Sequence, residues 1–369
     1  MENIFFVNTL QFTGAVEKLD IIKAVNMIVE SHAGGVTVSS KGPEGDMVSI
    51  ECSAAEVMQK EIIDIPITKT LKAALKKFNN SNFTNLQLFD GLAALDDNKK
   101  VIKSKYTPAY TVKDSAVAPA YETLITGSTK ISYEELKRVC DGLKKFVSTD
   151  KTRPVLNAIY FNGQEAAAID GYKLGTVRTY ADFKGGLQIH ITFIERILKL
   201  YKGIQDDITI TWRDNNIYVV GEVKGQQVNY KCEWHQAEFI DYSKLWTHDT
   251  NYFKIDKKDL LDAVEYVHAA AAGHKNSLMK ITAAAKGELV ISAANETNTL
   301  TETIQAPHVS EEGYMIGLNS QYMQDILKTM FKDNNGVYLH LPARNIDAIQ
   351  LKDLDGNKCL VLPVRVTSV

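Results

Sequence analysis

The sequence predicts an α+β fold of three tandem domains, in each of which two helices pack on antiparallel sheets. Three observations predict it. The chain of 369 residues is too long for one ordinary core. A strand–helix element recurs three times, and a second helix followed by extended segments opens each repeat. The predicted domains cover residues 1–122, 123–248 and 249–369.

The recurring strand–helix element defines the repeat. It reads "IPITKTLKAALKKF" from Ile65, "IHITFIERILKLY" from Ile189 and "IGLNSQYMQDILKTMF" from Ile316, with starts 124 and 127 residues apart. Each copy is a short extended run, a polar residue suited to an N-cap, and an amphipathic helix. The candidate N-caps are Thr68, Thr192 and Asn319. A period this long indicates repeated domains rather than solenoid units.

A second predicted helix opens each repeat. In the first repeat, Leu19, Ile22, Val25 and Ile28 fall at helical spacing on one stripe. The helices of this kind are predicted over 15–31, 131–153 and 255–275, and those of the strand–helix elements over 68–80, 192–202 and 319–332. Short linkers, "KDSAVAPAYETLITG" and "FIDYSKLWTHDT", separate the repeats.

The composition is that of a soluble globular protein. Hydrophobic residues make up 45% and charged residues 24% of the chain. With 42 basic and 45 acidic residues the net charge is −3, which disfavours a simple basic nucleic-acid binder unless positive charge gathers on one surface. No apolar stretch has the length of a membrane span, and the N-terminus lacks the basic region of a signal peptide. A cytoplasmic location is therefore expected.

Motifs of catalysis and metal binding are absent from the sequence. The four cysteines lie far apart, which favours buried free thiols over disulfides or a zinc site. No HExxH pattern occurs among the eight histidines, and "GPEGD" at Gly42 is a turn rather than a phosphate-binding loop. We therefore predict a protein that is not an enzyme, with no catalytic residue, cofactor or metal.

Positive charge gathers in the predicted helices. Counted over their predicted bounds they carry +7, which leaves −10 for the remainder of the chain. Lys69, Lys72 and Lys76 share one face of the 68–80 helix, and apolar residues occupy the opposite face. Two interpretations stay open: the lysines solvate outer helix faces, or they form a surface that faces a polyanion.

One hairpin has unusual residues at its turn. In "AAAIDGYKLGTVR", from Ala166 to Arg178, Asp170-Gly171 separates two extended runs and predicts a tight β-turn. The aromatic ring of Tyr172, the cation of Lys173 and the branched apolar side chain of Leu174 follow this turn directly. The segment is either an ordinary hairpin or a turn that presents a binding surface.

This hairpin, together with "TRPVLNAIYF" before it and the C-terminal "CLVLPVRV", resembles the bacterial DNA polymerase III β subunit family, the sliding clamps. The resemblance extends over the whole chain and is strongest in the second and third repeats, which suggests a divergent member. It implies DNA-clamp domains in a head-to-tail homodimeric ring of six domains, with helices lining the hole. Such a ring slides on duplex DNA without reading sequence and tethers the DNA polymerase, and it performs no covalent chemistry.

The resemblance also implies a hydrophobic groove between domains two and three that receives short peptides from polymerases, clamp loaders and repair proteins. A mostly apolar groove with a few polar groups suits that use. The matching positions are Leu156, Ile169, Gly171, Tyr172, Lys173, Leu174, Ile240, Lys244, Leu245, Asn319, Tyr322, Ile346, Ala348, Val361, Leu362, Pro363, Val364 and Arg365.

A DNA-facing set follows from the basic helices and from the retained arginine of the "RPVLN" segment. Its contacts would be to phosphates and therefore independent of sequence. The set is Lys69, Lys72, Lys76, Lys77, Arg153, Arg196, Lys199 and Lys202.

The chain departs from the family pattern at several positions. Tyr172 stands where the family commonly has a basic residue or histidine, and Pro154 and Val155 replace two aromatic residues of some members. The expected edge strand of domain one, "KKVIKSKY", is rich in lysine, and its expected partner contains the alanine-rich "HAAAAGHK". Charged edges can prevent strand pairing. The alternative is therefore a clamp-like interaction hub that binds peptides without encircling DNA.

Overall fold

The fold is described by a computed structural model over residues 2–79, 81–89, 91–109, 126–233, 238–246, 253–273, 275–284, 287–307 and 313–366. Helices and antiparallel sheets alternate along the chain, so the predicted α+β class is confirmed. The chain divides into two compact units. Unit 1 comprises Met1–Leu136, Phe183–Gly185 and Thr192–Gln236, and unit 2 comprises Lys137–Asp182, Gly186–Ile191 and Ala237–Val369.

Six helices lie in the described part of the chain. They are α1 (Thr9–Ile21), α2 (Lys69–Leu75), α3 (Tyr133–Leu143), α4 (Ile191–Leu200), α5 (Lys257–Ala271) and α6 (Ser320–Thr329). The described strands are, in chain order, β1 (Glu2–Asn8), β2 (Asn26–His32), β3 (Gly35–Lys41), β4 (Met47–Cys52), β5 (Ala54–Val57), β6 (Ile62–Pro66), β7 (Phe83–Phe89), β8 (Leu92–Asp96), β9 (Val101–Lys105), β10 (Thr107–Pro108), β11 (Gly127–Ile131), β12 (Ala158–Ile169), β13 (Lys173–His190), β14 (Ile208–Arg213), β15 (Asn216–Val223), β16 (Gln226–Glu233), β17 (Phe253–Asp256), β18 (Leu278–Ala284), β19 (Glu288–Ala294), β20 (Thr299–Gln305), β21 (Met315–Asn319), β22 (Gly336–His340), β23 (Ile349–Lys352) and β24 (Lys358–Val361).

Unit 1 contains two antiparallel sheets. One has five strands in the order β5-β1-β7-β8-β9, and the other has nine in the order β10-β6-β2-β3-β4-β16-β15-β14-β11. The pairing of β4 with β16, in which Ile50 opposes Val228, joins strands of the first and second repeats in one sheet. Beneath it Tyr201 is fully buried, and its hydroxyl donates to the carbonyl oxygens of Val219 and Val228. Buried hydroxyls are normally paired in this way.

The first helix differs from its prediction over 15–31. It begins at Thr9, where the Asn8 side chain accepts the Gln11 amide at 3.0 Å, and it ends at Ile21. Residues Asn26–His32 form β2 instead, with burial that alternates from residue to residue. A short apolar run satisfies helical and strand spacing alike, and pairing with β3 and β6 selects the strand.

The predicted N-caps are only partly correct. Thr68 accepts the Leu71 amide at 3.0 Å and Asn319 accepts the Tyr322 amide at 3.1 Å, so these two are confirmed. Thr192 as an N-cap is wrong, because α4 begins one residue earlier, at Ile191. The strand β13 continues to His190, so the helix starts directly from the strand end.

The predicted concentration of positive charge in the helices is also wrong. Within their observed bounds, the six helices of the described chain carry no net charge. The lysines that produced the excess lie just beyond the helix ends, as Lys76, Lys77 and Lys202 do. Cations are favoured there by the unpaired carbonyl groups of the last turn.

Unit 2 contains a six-stranded sheet in the order β12-β13-β24-β23-β22-β17 and a four-stranded sheet in the order β20-β19-β18-β21. After β24 the chain crosses to β21, where the Val364 amide donates to the Gly317 carbonyl oxygen at 2.9 Å. A side chain at Gly317 would begin 2.5 Å from the Val364 carbonyl oxygen. Glycine is therefore required for this close approach.

The three-domain division stays a prediction, since both proposed boundaries, at 122/123 and 248/249, fall outside the described residues. All four cysteines are free and buried, as predicted. Within the described ranges, none of the helices combines the length and the apolar character needed to cross a membrane.

Candidate functional site

The predicted Asp-Gly turn lies between β12 and β13. The Asp170 amide donates to the Lys173 carbonyl oxygen at 3.2 Å, and Asp170 Oδ1 accepts the amides of Tyr172 and Lys173, both at 2.9 Å. Gly171 has φ +95°, a conformation that favours glycine. The aspartate side chain thus fixes the turn, and the predicted hairpin is confirmed.

Lys173 connects this turn to α6. Its ammonium group bonds Asp170 Oδ2 and lies 4.3 Å from the centre of the Tyr322 ring, although the residue is buried. The Tyr172 ring, 62% exposed, stands 6.4 Å from the Tyr322 ring. Burial, and then the negative charge of Asp170, raises the pKa of Tyr322. The phenol therefore stays neutral and acts as an aromatic surface.

The C-terminal segment forms the other side of this region. Val361 of β24 lies opposite Lys173 of β13 on one side and opposite Ile349 of β23 on the other. The strand β24 therefore lies between β13, which begins at the turn, and β23. The Leu362 amide then donates to the Tyr172 carbonyl oxygen at 2.9 Å. These backbone bonds hold the tyrosine and the chain end in one fixed arrangement.

The linker segment before residue 247 is anchored against β12. The Phe239 ring stacks on Tyr160 with 4.8 Å between ring centres, and the Tyr242 hydroxyl donates to Glu165 at 2.8 Å. Trp246 belongs to the same linker, and its ring lies 4.4 Å from the Lys358 ammonium. These contacts present Leu245 and Trp246 beside the turn.

Together these elements enclose a groove of about 650 Å³ within unit 2. Its walls are mostly apolar, with a few carboxylate, amide and ammonium groups, which suits a short peptide or a small molecule. It is lined by Ile169, Gly171, Tyr172, Lys173, Leu174, Lys244, Leu245, Trp246, His340, Pro342, Ala343, Asp347, Ala348, Gln350, Leu360 and Leu362.

Half of the residues predicted for the groove line it. The other half do not: Leu156 and Val361 are in the core, and Tyr322 lies behind Tyr172 and Lys173. The remaining predicted positions that do not line it are Ile240, Asn319, Ile346, Pro363, Val364 and Arg365. The peptide-binding role of all these residues stays a prediction.

Sequence reasoning missed several lining residues. They are Trp246, His340, Pro342, Ala343, Asp347, Gln350 and Leu360. Three of them, Pro342, Ala343 and Asp347, belong to the segment between β22 and β23, which reads as a polar turn and is closed by Arg344 and Asp347 through bonds of 2.7 and 2.8 Å. Leu360 and Trp246 adjoin predicted residues, so the predicted groove could have been extended to them.

The predicted DNA-facing position Arg196 is wrong. Its side chain is only 4% exposed, and its guanidinium lies 2.8 Å from Asp46 Oδ2 and 3.0 Å from Glu44. The Tyr230 hydroxyl donates to the same Asp46 oxygen at 2.9 Å. The spacing of residues along one helix cannot reveal a carboxylate that comes from another part of the chain, as Asp46 does. The arginine is therefore a buried structural residue.

The other basic positions are exposed or half-buried. Lys72 lies 2.6 Å from Asp20 and Lys76 lies 3.9 Å from Glu17, so both pair with acids of α1. Among the described residues, no carboxylate pairs with Lys69 or Lys77. Lys199 and Lys202 are exposed, and so is Arg153, whose guanidinium lies near the Gly171 turn.

This chain resembles known proteins in sequence and in fold. No family model matches the chain. A beta sliding clamp from Rickettsia felis is 24% identical over 388 residues, and the match covers 99% of each chain. The crystal structure of a Caulobacter crescentus beta sliding clamp superposes with a TM-score of 0.82 at 16% identity, covering 99% of this chain and all of the other. The chain is a divergent relative of the beta sliding clamps.

Other clamps give the same result. The DNA polymerase sliding clamp of Pseudomonas aeruginosa superposes with a TM-score of 0.83 at 15% identity, again over 99% of this chain. A beta sliding clamp from Staphylococcus aureus is 24% identical over 245 residues, about 64% of this chain. The clamp fold is thus preserved from end to end in this relative, while most side chains differ.

Proposed function

We propose that this chain is a non-catalytic sliding clamp, which encircles duplex DNA as a head-to-tail homodimeric ring and tethers a replicative DNA polymerase. The observation that carries the proposal is the superposition on known clamps over 99% of the chain. In this proposal the chain works on DNA in the cytoplasm, and its three predicted domains are clamp domains.

The groove in unit 2 is proposed to bind the peptide motifs of the polymerase, the clamp loader and other partners. Its rigid backbone and apolar walls favour binding through one or two side-chain anchors. The exposed Tyr172 ring offers an aromatic contact, and the Leu362 amide holds the Tyr172 backbone through its carbonyl oxygen, so little backbone ordering is needed on binding.

Two sheet edges support head-to-tail pairing between copies. In the described structure β9 is an edge of the five-stranded sheet and β20 is an edge of the four-stranded sheet, whereas the expected partner segment begins with residues 268–271 at the end of α5 and is not an edge strand there. The β9 edge presents Lys103 and Lys105, and the β20 edge presents Glu302. Opposite charges on facing strands attract. The β9 lysines would repel a second positively charged edge, but they favour pairing with the β20 edge, which carries Glu302.

The interaction hub stays the second candidate because of the basic residues. Lys72 and Lys76 pair with α1, and Arg196 is buried, which leaves fewer cations for phosphates than the sequence predicts. Lys69, Lys77, Lys199, Lys202 and Arg153 are the remaining candidates for DNA contact.

Topology separates the two candidates. The chain is loaded by its cognate loader onto a nicked circular duplex, and retention is measured after gel filtration. A ring stays on the circle and is released when a restriction enzyme linearises it. A hub is not retained in either case, and retention that survives linearisation would indicate ordinary binding rather than encirclement.

The groove is tested separately with a defined probe. Clamps from Pseudomonas aeruginosa and Bartonella birtlesii are bound to griselimycin in crystal structures, so this compound is titrated by calorimetry. Tyr172→Asp is expected to weaken binding about tenfold or more through loss of apolar contact. Leu354→Asp, at an exposed apolar position outside the groove, is the control. Equal affinities in both variants would contradict the proposed groove.

A further inference from the structure

A row of basic side chains crosses the six-stranded sheet of unit 2. Residues that are paired across neighbouring strands point to the same face of a sheet. From β17 to β13, the register pairs each of the following residues with the next: Lys254, Tyr338, Lys352, Lys358 and Thr176. These side chains therefore share one face, and we call them the lysine row.

The lysine row borders the groove. Two positions away along four of these strands lies a second row of paired residues, which we call the groove floor because all of its members line the groove. It consists of His340, Gln350, Leu360 and Leu174. Two residues of a strand span about 7 Å, so a ligand on the groove floor lies within a short distance of the lysines.

Trp246 connects the two rows. It lines the groove, and its ring lies 4.4 Å from the Lys358 ammonium. A ligand that packs on this indole is therefore next to a cation. Lys352 and Lys358 are half-buried, and partly buried charges are screened less by salt than exposed ones.

The positive charge of the lysine row is not balanced by acids of the same sheet. Lys352 and Lys358 lie directly opposite each other, where like charges repel. Among the described residues, no carboxylate pairs with Lys254 or Lys358. The neighbouring Asp353 is buried, and its carboxylate accepts amides of the β23–β24 turn. An anionic group supplied by a ligand would therefore relieve the repulsion in the row.

We propose that the lysine row selects partner peptides in which acidic residues lie about two positions from the apolar anchor. The anchor packs on Leu174, Leu360 and Trp246, and the carboxylates lie against Lys352 and Lys358. An extended peptide advances about 3.3 Å per residue, so two residues cover the distance between the rows. Continuity with the groove favours a peptide over a nucleic acid as the source of the charge. This inference rests on the proposed peptide-binding function and specifies the charge of the partners.

The test compares acidic and neutral peptides on the full chain by calorimetric titration. The acidic probes are acetyl-Asp-Asp-Gly-Leu-Phe-Gly-amide and acetyl-Gly-Leu-Phe-Gly-Asp-Asp-amide, one for each direction of the peptide. The neutral probes carry asparagine in place of aspartate. At low ionic strength, at least one acidic peptide should bind about threefold to tenfold more tightly than its neutral counterpart, and added salt should reduce the difference. Tyr172→Ala should weaken all four peptides, which would locate them in the groove.

A double variant isolates the lysine row. Lys352→Gln with Lys358→Gln should abolish the preference for the acidic peptide. The neutral peptide is the reference, because Lys358→Gln also alters the contact with Trp246. The control is Lys280→Gln with Lys332→Gln, which removes the same charge from unit 2 outside this sheet and should keep the preference.

The outcomes separate this inference from the proposed function. Equal affinities for acidic and neutral peptides would overturn the inference and leave the peptide groove in place, whereas no binding of any peptide would overturn both. An equal loss of preference in the two double variants would assign the effect to net charge. If the Lys352→Gln, Lys358→Gln variant lost affinity for duplex DNA and kept its peptide preference, the row would belong to a nucleic-acid site instead.

Discussion

At the scale of single residues, Arg196, Asp46 and Tyr230 form a buried, hydrogen-bonded cluster that contains two charges. The Asp46 side chain is fully buried, and the guanidinium and the phenol share its Oδ2 oxygen. Charges in a protein interior are tolerated only when they are paired and hydrogen-bonded. These contacts connect α4 and β16 to the residues just before β4, and so hold elements of the first and second repeats together within unit 1.

Removal of the guanidinium should therefore destabilise the protein. Arg196→Met keeps the apolar stem and leaves the Asp46 carboxylate without its partner charge, which costs about 3–5 kcal/mol for a buried pair. The free energy of unfolding is measured by urea titration. Lys199→Met on the same helix is exposed and should change it by less than about 0.5 kcal/mol. A similar small effect at Arg196 would mean that the pair contributes nothing.

The pH dependence of this variant follows from the same carboxylate. Burial raises the pKa of Asp46 even beside Arg196, and without the arginine the pKa rises further. A group with a raised folded-state pKa binds its proton more readily when folded, so the variant gains stability as pH falls through that pKa towards the unfolded value. The deficit relative to the native chain should be larger at pH 8 than at pH 5. A deficit that is equal at both values would place its cause in packing.

At the scale of elements, α1 and α2 form a surface whose charges are partly neutralised. Lys72 and Lys76 of the α2 region meet Asp20 and Glu17 of α1. Exposed pairs of this kind add little stability, but they reduce the positive potential near them. Lys69 and Lys77 keep their charges unpaired within the described structure. Of the lysines in the α2 region, these two should therefore contribute most to DNA association.

Charge reversal tests that expectation. Lys69→Glu with Lys77→Glu should lower affinity for a linear duplex and reduce the slope of log affinity against log salt by about 2, one for each lost phosphate contact. Fluorescence anisotropy over a salt series measures both. The same reversal at the exposed Lys41 and Lys224, on strand and turn positions, is the control. An equal loss in the control would show that net charge alone is responsible.

At the scale of the whole molecule, the proposed head-to-tail assembly depends on two edges, β9 and β20, that the described part of the chain leaves without a neighbouring strand. The β9 edge is positive and the β20 edge carries Glu302, so the two edges have complementary charge for the proposed pairing of two copies. In the proposed ring this interface occurs twice, and therefore a substitution that weakens it acts at both interfaces.

A charge swap tests the assembly. In sedimentation equilibrium the native chain should behave as a species of about twice 41.1 kDa. Lys103→Glu should shift the equilibrium towards monomer by up to about fivefold in affinity at each interface, because a cross-strand charge pair is worth about 0.2–1 kcal/mol. Adding Glu302→Lys should restore part of the dimer. A native chain that is monomeric at every concentration would leave the interaction hub as the better interpretation.

The sequence by itself determined the repeat, the α+β class and the Asp-Gly turn, because these depend on local spacing and on residues such as Gly171 and Asn319 that specify their own backbone geometry. It also indicated half of the groove, through positions that match the motifs of the family it resembles. It did not determine the end of α1, since residues 22–31 suit a helix and a strand equally.

Only the tertiary structure decided which charged side chains are buried and paired. Arg196 and Lys199 look alike on a helix stripe, yet Asp46 comes from a turn 150 residues away and takes only the first into the interior. The segment between β22 and β23 joins the groove for the same reason, since sheet register sets its place beside β24. Partners distant in sequence leave no local pattern. The burial of side chains, the pairing of charges and the shape of the groove therefore depend on tertiary packing.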